Sequence, residues 1–316
     1  MRVVVTGSAG FVGKHLVRRL VADGHDVHAG TLPDEQLPRD LREVPRHRLD
    51  VTDPGTIEAV LTEVRPDWIF HLAALAHPQT CREKPLVAWE VNFLGTHNLY
   101  RAAAEIVPDA RVLFVGSAVE YGRPLPEDLP LTEGAPLRPA DVYAATKVAG
   151  DLLGERYTLD GKLAVVRARP FNHIGPGQEP GYVASDFARQ VARIERGLQE
   201  PKITVGNLDA ARDFLDVRDV VRAYILLLEK GLAGSVYNVC SETPRKVREL
   251  LEGLLALAKL RPDVVVSPGR TRRGDADRVV GCAESLRAQT GWQPLIGWPQ
   301  TLQDLLADWR SRFAVL

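Results

Sequence analysis

The chain opens with Arg2-Val3-Val4-Val5-Thr6 and then turns through Gly7-Ser8-Ala9-Gly10-Phe11-Val12-Gly13 into a helical pattern that ends at Gly24. A buried strand, a glycine turn and a helix in this order form the dinucleotide-binding turn of nucleotide-binding α/β proteins. The first glycine permits the tight turn, the second lets the backbone approach a pyrophosphate, and the third lets helix and strand pack closely. A glycine triplet alone is weak evidence, but its flanking strand and helix strengthen the prediction.

A second informative segment is Tyr143-Ala144-Ala145-Thr146-Lys147, inside a predicted helix over 143–157. Residues four apart share one face of a helix, so we expect Lys147 to lie beside the Tyr143 phenol and to lower its pKa. Ser117 follows a predicted strand, and active groups gather at the carboxyl ends of parallel strands. Its alternative role is to cap the next turn. Together the three residues predict redox chemistry at a carbonyl or carbinol.

The remaining pattern predicts an α/β fold, a doubly wound parallel sheet of Rossmann type with a smaller, interleaved α/β substrate lobe. The predicted strands cover 2–6, 26–29, 46–49, 67–72, 111–115 and 162–168, with a long helix over 87–104. Later segments are predicted as a loop over 172–181, a helix over 185–196, a strand over 213–217, helices over 220–229 and 247–259, and a basic loop over 267–278. We therefore expect a nucleotide-binding domain over 1–170, to which 209–240 returns, and a substrate lobe over 171–316.

Composition limits the kind of partner. The 316 residues carry a net charge of −1, with 45% hydrophobic and 26% charged residues. These values argue against nucleic acid or a membrane surface as the main partner. The three cysteines are too widely spaced for a metal or disulfide pattern. No apolar run reaches membrane-spanning length and the amino end enters a strand directly, so we expect a cytoplasmic protein.

The predicted second strand bears on cofactor choice. NAD-specific sites usually place an acid at its end to hold the ribose hydroxyls, whereas this chain has Ala29-Gly30-Thr31 there. No arginine follows at once, because Arg39 and Arg42 lie farther along. We expect NADPH, with NADH tolerated. Asp50 is placed to meet the adenine, although Asp-Val-Thr-Asp is also a helix-capping pattern.

These motifs carry a family resemblance. Together with His71-Leu72-Ala73-Ala74 and Val91-Asn92-x-x-Gly95-Thr96, the glycine turn and the Ser117, Tyr143 and Lys147 set resemble an extended short-chain dehydrogenase/reductase over nearly the whole chain. The segment 169–178 is similar to the nucleotide-sugar branch. With 185–188 and 205–208, it most resembles the reductases that act on GDP-4-dehydro-6-deoxy-D-mannose.

The resemblance implies roles for individual residues. Ser117, Tyr143 and Lys147 would form the catalytic triad. The cofactor would contact Gly7, Gly10, Phe11, Val12, Gly13, Asp50, Val51, Leu72, Ala73, Ala74, Tyr143, Lys147 and Pro170. The GDP-sugar substrate would contact Ser117, Asn172, Ser185, Arg189, Arg212, Arg272 and Asp275. Arg212 has a surface salt bridge as its alternative role, and the register of Arg272 among neighbouring arginines stays open. No metal is expected. Asn92 is expected to hold backbone, and the family implies a homodimer through the helices around Asn92 and Tyr143.

The expected reaction is hydride transfer from NAD(P)H to C4 of the sugar, giving GDP-D-rhamnose, with Tyr143 donating the proton. Dehydratase relatives carry an acid where this chain has Val119, and Glu120 should point the other way. Dehydration is therefore disfavoured. A nucleotide-sugar 4-epimerase with tightly bound NAD is the alternative enzyme, and a non-catalytic nucleotide-binding subunit is a distant third.

Overall fold

The computed structural model describes residues 1–267 and 276–314. The strands in chain order are β1 (Arg2–Thr6), β2 (Asp26–Thr31), β3 (Arg46–Arg48), β4 (Trp68–His71), β5 (Arg111–Val115), β6 (Ala164–Pro170), β7 (Asn172–Ile174), β8 (Lys202–Val205), β9 (Ala211–Asp216), β10 (Val236–Val239), β11 (Pro244–Lys246), β12 (Asp263–Val266) and β13 (Arg278–Val279). Seven of them form one sheet in the order β10-β6-β5-β4-β1-β2-β3, with every neighbouring pair parallel. The order reverses beside β1, which is the doubly wound arrangement.

Helices cover both faces of this sheet. They are α1 (Phe11–Ala22), α2 (Pro54–Val64), α3 (Pro78–Glu83), α4 (Pro85–Trp89), α5 (Gly95–Ile106), α6 (Val142–Leu159), α7 (Val183–Glu195), α8 (Val217–Lys230), α9 (Val247–Ala258), α10 (Glu284–Thr290) and α11 (Trp298–Arg312). One apolar core packs α1 and α8 against the sheet, and a second packs α2 and α5 against the other face. Burial on two faces explains the run of three valines within β1, Val3 to Val5, none of which is exposed.

Local sequence sets the ends of these helices. Asp53 caps α2 by accepting the Gly55 N–H at 3.1 Å, and Asp141 caps α6 by accepting the Ala144 N–H at 2.9 Å. The helix predicted over 87–104 is two helices, α4 and α5, joined by a π-helical turn at Glu90–Leu94. That turn aims Asn92 into the interior.

The lobe has its own core, in which α7, α9 and α11 pack around Phe187, Leu250, Leu305 and Trp309. Its central strand β9 pairs with β7, β11 and β13. The prediction of a continuous loop over 172–181 was wrong, because Asn172 to Ile174 pair in parallel with Phe214 to Asp216. A run of only three residues, Asn-His-Ile, gives too little alternation to predict a strand.

The α/β doubly wound fold is confirmed. The chain returns from β9 in the lobe through α8 to β10, which pairs with β6 in the main sheet. The domain boundaries at 170 and at 209–240 stay a prediction. Among the helices of the described residues, none has the length and apolar character needed to cross a membrane.

Candidate active site

A cleft of about 1380 Å³ runs along the carboxyl ends of the main sheet and faces the lobe. All the residues predicted to bind the cofactor line it, namely Gly7, Gly10, Phe11, Val12, Gly13, Asp50, Val51, Leu72, Ala73, Ala74, Tyr143, Lys147 and Pro170. Nucleotides usually bind at the topological switch point of a doubly wound sheet, where the strand order reverses. The position of the cleft therefore fits the glycine-turn motif.

The glycine turn forms a close-fitting cradle. Gly7 has φ +66°, and a Cβ atom there would lie 2.9 Å from the Ala73 nitrogen. A Cβ on Gly13 would lie 2.3 Å from the Gly7 oxygen, so both positions exclude a side chain. Gly10 is the residue before α1 and provides no side-chain cap, which leaves the first amides of the helix for an anion in the cleft. The turn therefore fits a dinucleotide pyrophosphate.

His71 fixes the strand end beside this cradle. The Thr6 hydroxyl lies 3.0 Å from His71 Nδ1 and accepts the N–H groups of Leu72 and Ala73 at 3.1 and 3.0 Å. On the other side, Thr96 donates to the Asn92 carbonyl, so its oxygen accepts the proton of His71 Nε2 at 2.9 Å. Burial lowers the pKa of His71 to about 3, so the ring is neutral. This buried chain of hydrogen bonds holds the backbone on which the cofactor residues lie.

Ser117 and Tyr143 both line the cleft. The Ser117 hydroxyl accepts the Val119 N–H at 3.3 Å, so the expected turn cap is present, and the Ser117 side chain is near enough to influence the pKa of the Tyr143 phenol. Lys147 Nζ donates to the Val115 carbonyl at 2.8 Å and lies 5.4 Å from the centre of the Phe114 ring. The three predicted catalytic residues therefore line one wall of the cleft.

The electrostatics of this wall differ from the expectation. Burial is the largest influence on Tyr143 and raises the pKa of the phenol above its ordinary value, while the nearby Ser117 side chain acts in the opposite direction. The prediction that Lys147 lowers the Tyr143 pKa below normal is therefore wrong for this structure. Burial also lowers the pKa of Lys147 to about 8. At neutral pH the phenol keeps its proton and the lysine is mostly charged.

Asn92 has the backbone role that the sequence predicts. Its side-chain oxygen accepts the Leu75 N–H at 2.7 Å, and its nitrogen donates to the Thr146 hydroxyl at 3.0 Å. Thr146 lies on α6 between Tyr143 and Lys147, so Asn92 ties the loop after β4 to the helix that carries these two predicted catalytic residues.

The end of the cleft at which the sequence predicts the adenine to bind lies where β2 and β3 end. Asp50 accepts the Thr52 N–H and hydroxyl at 2.9 and 2.7 Å while lining the cleft, and Asp53 is the residue that caps α2. Thr31 and Glu35 also line this end. On the described wall of the cleft the lysine and arginine residues are Arg82, Lys147 and Arg212, so Arg39 and Arg42 do not reach it.

Some of the residues predicted to bind the substrate line the cleft and others do not. Asn172 on β7 and Arg212 on β9 line the cleft, and Arg212 donates to the Ala211 carbonyl at 2.8 Å. Ser185 does not, because its hydroxyl is buried between the Gln178 carbonyl at 2.7 Å and the Trp309 indole at 3.1 Å. Arg189 also lies outside the lining and is 3.8 Å from Asp186 on its own helix. Arg272 and Asp275 lie outside the described residues.

Tyr182 is a residue of the cleft that the sequence motifs did not predict. Its ring lies 5.9 Å from that of His77, and the two side chains line the cleft from opposite walls. Gly181 has φ +99° beside them, and a Cβ there would lie 2.8 Å from His77 Nε2. An aromatic residue directly after a glycine in the segment 172–181 was the available signal.

The residues 3–240 match the model of the NAD dependent epimerase/dehydratase family. The chain belongs to that family. The "GDP-6-deoxy-D-mannose reductase" of Pseudomonas aeruginosa is 39% identical over 98% of both chains. The structure of RMD from Pseudomonas aeruginosa complexed with NADPH is similar with a TM-score of 0.88 and 37% identity, covering 98% of this chain and 99% of that one.

Epimerases of the family are also similar. The Thermus thermophilus UDP-glucose 4-epimerase in complex with NAD has a TM-score of 0.86 and 32% identity, covering 98% of this chain and 99% of the other. The "GDP-6-deoxy-D-talose 4-dehydrogenase" of Aggregatibacter actinomycetemcomitans is 26% identical over 89% of this chain and 88% of that protein. The expected membership of the nucleotide-sugar reductase branch is thus confirmed.

Proposed function

We propose that this protein is an NADPH-dependent reductase that converts GDP-4-dehydro-6-deoxy-D-mannose to GDP-D-rhamnose. The observation that carries the proposal is the 39% identity to a GDP-6-deoxy-D-mannose reductase along 98% of both chains. The cleft agrees with it, because Val119 is exposed in the cleft at the position where dehydratases carry an acid. Glu120 is fully buried on the other side, as predicted.

The glycine cradle fits NADPH. Gly7, Gly10 and Gly13 would hold its pyrophosphate, Asp50 would meet the adenine, and Lys147 would hold the nicotinamide ribose. When bound, NADPH supplies the hydride for C4 of the sugar. Glu35 is an acidic residue at the proposed adenosine end of the cleft, where it accepts the Leu32 N–H at 2.9 Å. Because NAD-specific sites usually hold the ribose hydroxyls with an acid, NADH is included in the test below.

Tyr143 is the proposed proton donor. Its raised pKa keeps the phenol protonated at neutral pH, which is the form needed to donate to the C4 oxygen during reduction. The Ser117 hydroxyl, which lines the same cleft, would hydrogen-bond the same oxygen as charge develops on it. The charge of Lys147, buried beside the Val115 carbonyl, would then stabilise the phenolate that remains.

Asn172 and Arg212 are the proposed contacts to the GDP-sugar from the lobe. A guanidinium suits a diphosphate because its planar fork matches two phosphate oxygens. Arg272 and Asp275, which lie outside the described residues, remain proposed contacts to the nucleotide. Ser185 and Arg189 are withdrawn from the proposed substrate set because neither lines the cleft.

A cytoplasmic homodimer is proposed for the working protein. Apolar side chains are exposed along α4, the π-helical turn and α6: Leu86 is 81% exposed, Leu94 50%, Leu152 48% and Leu159 71%. Such surfaces on neighbouring helices favour a second copy as the covering partner. Light scattering after size exclusion tests the dimer.

The decisive test of function is NADPH oxidation with freshly made GDP-4-dehydro-6-deoxy-D-mannose, run beside NADH and beside UDP- and dTDP-4-keto sugars. Oxidation with the GDP sugar alone supports the proposal, and NMR of the product separates GDP-D-rhamnose from its C4 epimer. NADPH oxidation with a UDP- or dTDP-4-keto sugar instead would contradict the proposed GDP-sugar substrate. Bound NAD in the purified protein, with turnover of a nucleotide sugar when no cofactor is added, would identify a 4-epimerase instead.

A further inference from the structure

A buried cluster of charged residues lies directly behind Ser117. Glu120 Oε1 accepts the Ser117 N–H at 2.7 Å, so this carboxyl group fixes the backbone of a proposed catalytic residue. Asp151 on α6 accepts from Arg167 at 2.6 Å and from Arg169 at 2.9 Å. Glu120 and Asp151 are fully buried, and both arginines are at most 4% exposed.

The second oxygen of Glu120 shows where a proton must lie. Glu120 Oε2 is buried without a donor among the described residues. Arg169 Nε is 3.1 Å away, but its single hydrogen points to Asp151 Oδ2. The carboxyl groups of Glu120 and Asp151 are neighbours, because Glu120 Oε2 and Asp151 Oδ2 lie 3.1 and 2.9 Å from the same Arg169 nitrogen. Two neighbouring carboxyl groups can share a hydrogen bond only if one of them carries a proton.

We propose that Glu120 is a positioning residue for Ser117 and acts as the protonated member of an acid pair with Asp151. Oε1 accepts the Ser117 N–H and Oε2 donates to the Asp151 carboxylate. Asp151 in turn receives Arg167 and Arg169 and carries the one negative charge of the pair. The kinetic part of this inference rests on the proposed reductase activity.

The groups around the acid pair determine the direction in which the pKa of Glu120 is shifted. Burial is the largest influence and raises the pKa of Glu120 to about 8, the charge of Asp151 adds to this, and Arg169 opposes it. On α6, Tyr143 and Lys147 face the same carboxyl, and a charged Glu120 raises the pKa of both groups. The other titratable or charged groups near Glu120 are Tyr121, the next residue in the chain, and Arg169 on β6, which donates to the Tyr121 hydroxyl. At neutral pH Glu120 is protonated, so Tyr143 is spared that charge and is a stronger proton donor.

The kinetic test compares Glu120→Gln with Glu120→Ala. The glutamine amide can accept the Ser117 N–H and donate to Asp151, as the protonated acid does, whereas alanine can do neither. We expect kcat to fall about tenfold or more in E120A, with an unchanged Kd for NADPH, and to recover to within about threefold of wild type in E120Q. Glu155→Gln is the matched control, because Glu155 bonds Arg167 at 3.2 Å from the half-exposed end of the cluster, away from Ser117. It should keep wild-type kinetics.

An infrared titration tests the proton without any turnover. The wild-type protein should show a buried carboxylic-acid C=O band at neutral pH that disappears as pH rises past about 8. The band should be missing in E120Q. Asp151→Asn offers a second route, because removing the partner charge should move the disappearance of the band to lower pH.

The two tests distinguish a failure of the acid pair from a failure of the proposed reductase function. An E120Q protein that folds but is as slow as E120A overturns the proposal, as does a neutral-pH band that survives in E120Q. Should the band behave as expected in a protein that reduces none of the nucleotide sugars, the acid pair stands and the proposed reductase function fails.

Discussion

The two walls of the cleft are held in different ways. On the sheet side, Thr6, His71 and Thr96 form a closed chain of buried hydrogen bonds, and Asn92 ties the loop after β4 to α6. On the lobe side, Asn172 and Arg212 lie on short strands that pair over only a few residues. The wall on which we propose proton transfer is thus fixed by interior polar contacts, and the wall proposed to face the sugar nucleotide is formed by β7, β9 and the segment around Tyr182.

This difference matches the demands on each wall. Proton transfer fails when the donor is displaced by a fraction of a hydrogen-bond length, so its side chains need support that water cannot reach. Relatives with the same fold are named for different nucleotide sugars, so recognition depends on the residues of the site and not on the fold. We therefore expect substitutions on the sheet wall to alter kcat and those on the lobe wall to alter KM.

The largest effect should come from Tyr143→Phe. The ring packs as before, but the proton donor is lost, so kcat should fall by about 10²–10⁴-fold. The Kd for NADPH should stay close to that of wild type, because the cradle at Gly7 and Gly13 is untouched. Stopped-flow measurement of NADPH oxidation and fluorescence titration of NADPH give the two numbers. A variant with near-normal turnover would remove Tyr143 from the mechanism.

The same contrast explains how far the sequence could predict this molecule. The glycine turn, Ser117, Tyr143 and Lys147 were predictable because each depends on short spacings within one strand, turn or helix. Ser185 and Arg189 were misplaced because the face that α7 presents depends on Trp309, which is over a hundred residues away. The reversed shift of the Tyr143 pKa was also out of reach, since burial is a property of the assembled cleft.

An intermediate effect is expected for Arg212→Gln on the lobe wall. Loss of charge-assisted hydrogen bonds to the diphosphate should raise KM for the GDP-sugar by about 10–100-fold and change kcat much less. Arg245→Gln is the matched control. Arg245 lies opposite Arg212 in the pairing of β11 with β9, but it stacks 4.8 Å from the centre of the Trp298 ring and does not line the cleft. Equal KM values for the two variants would contradict the assignment of Arg212.

The smallest effect concerns the acid stability of the sheet wall. The pKa of His71 is about 3 in the folded protein and near 6.5 when unfolded, so the unfolded chain binds an extra proton between these values. Stability is therefore lost as pH falls below about 6.5, by about 1.4 kcal/mol per pH unit from this group. Above that pH the contribution is constant.

His71→Gln separates this titration from the hydrogen bonds of the ring. At pH near 7.5 the variant should be less stable by about 1–3 kcal/mol, because a buried network is disturbed. The gap to wild type should then narrow as the pH is lowered toward about 5, since glutamine takes up no proton. Urea unfolding followed by circular dichroism at several pH values measures both. A stability difference that stays constant over this range would mean that His71 is not held neutral between Thr6 and Thr96 in the folded protein.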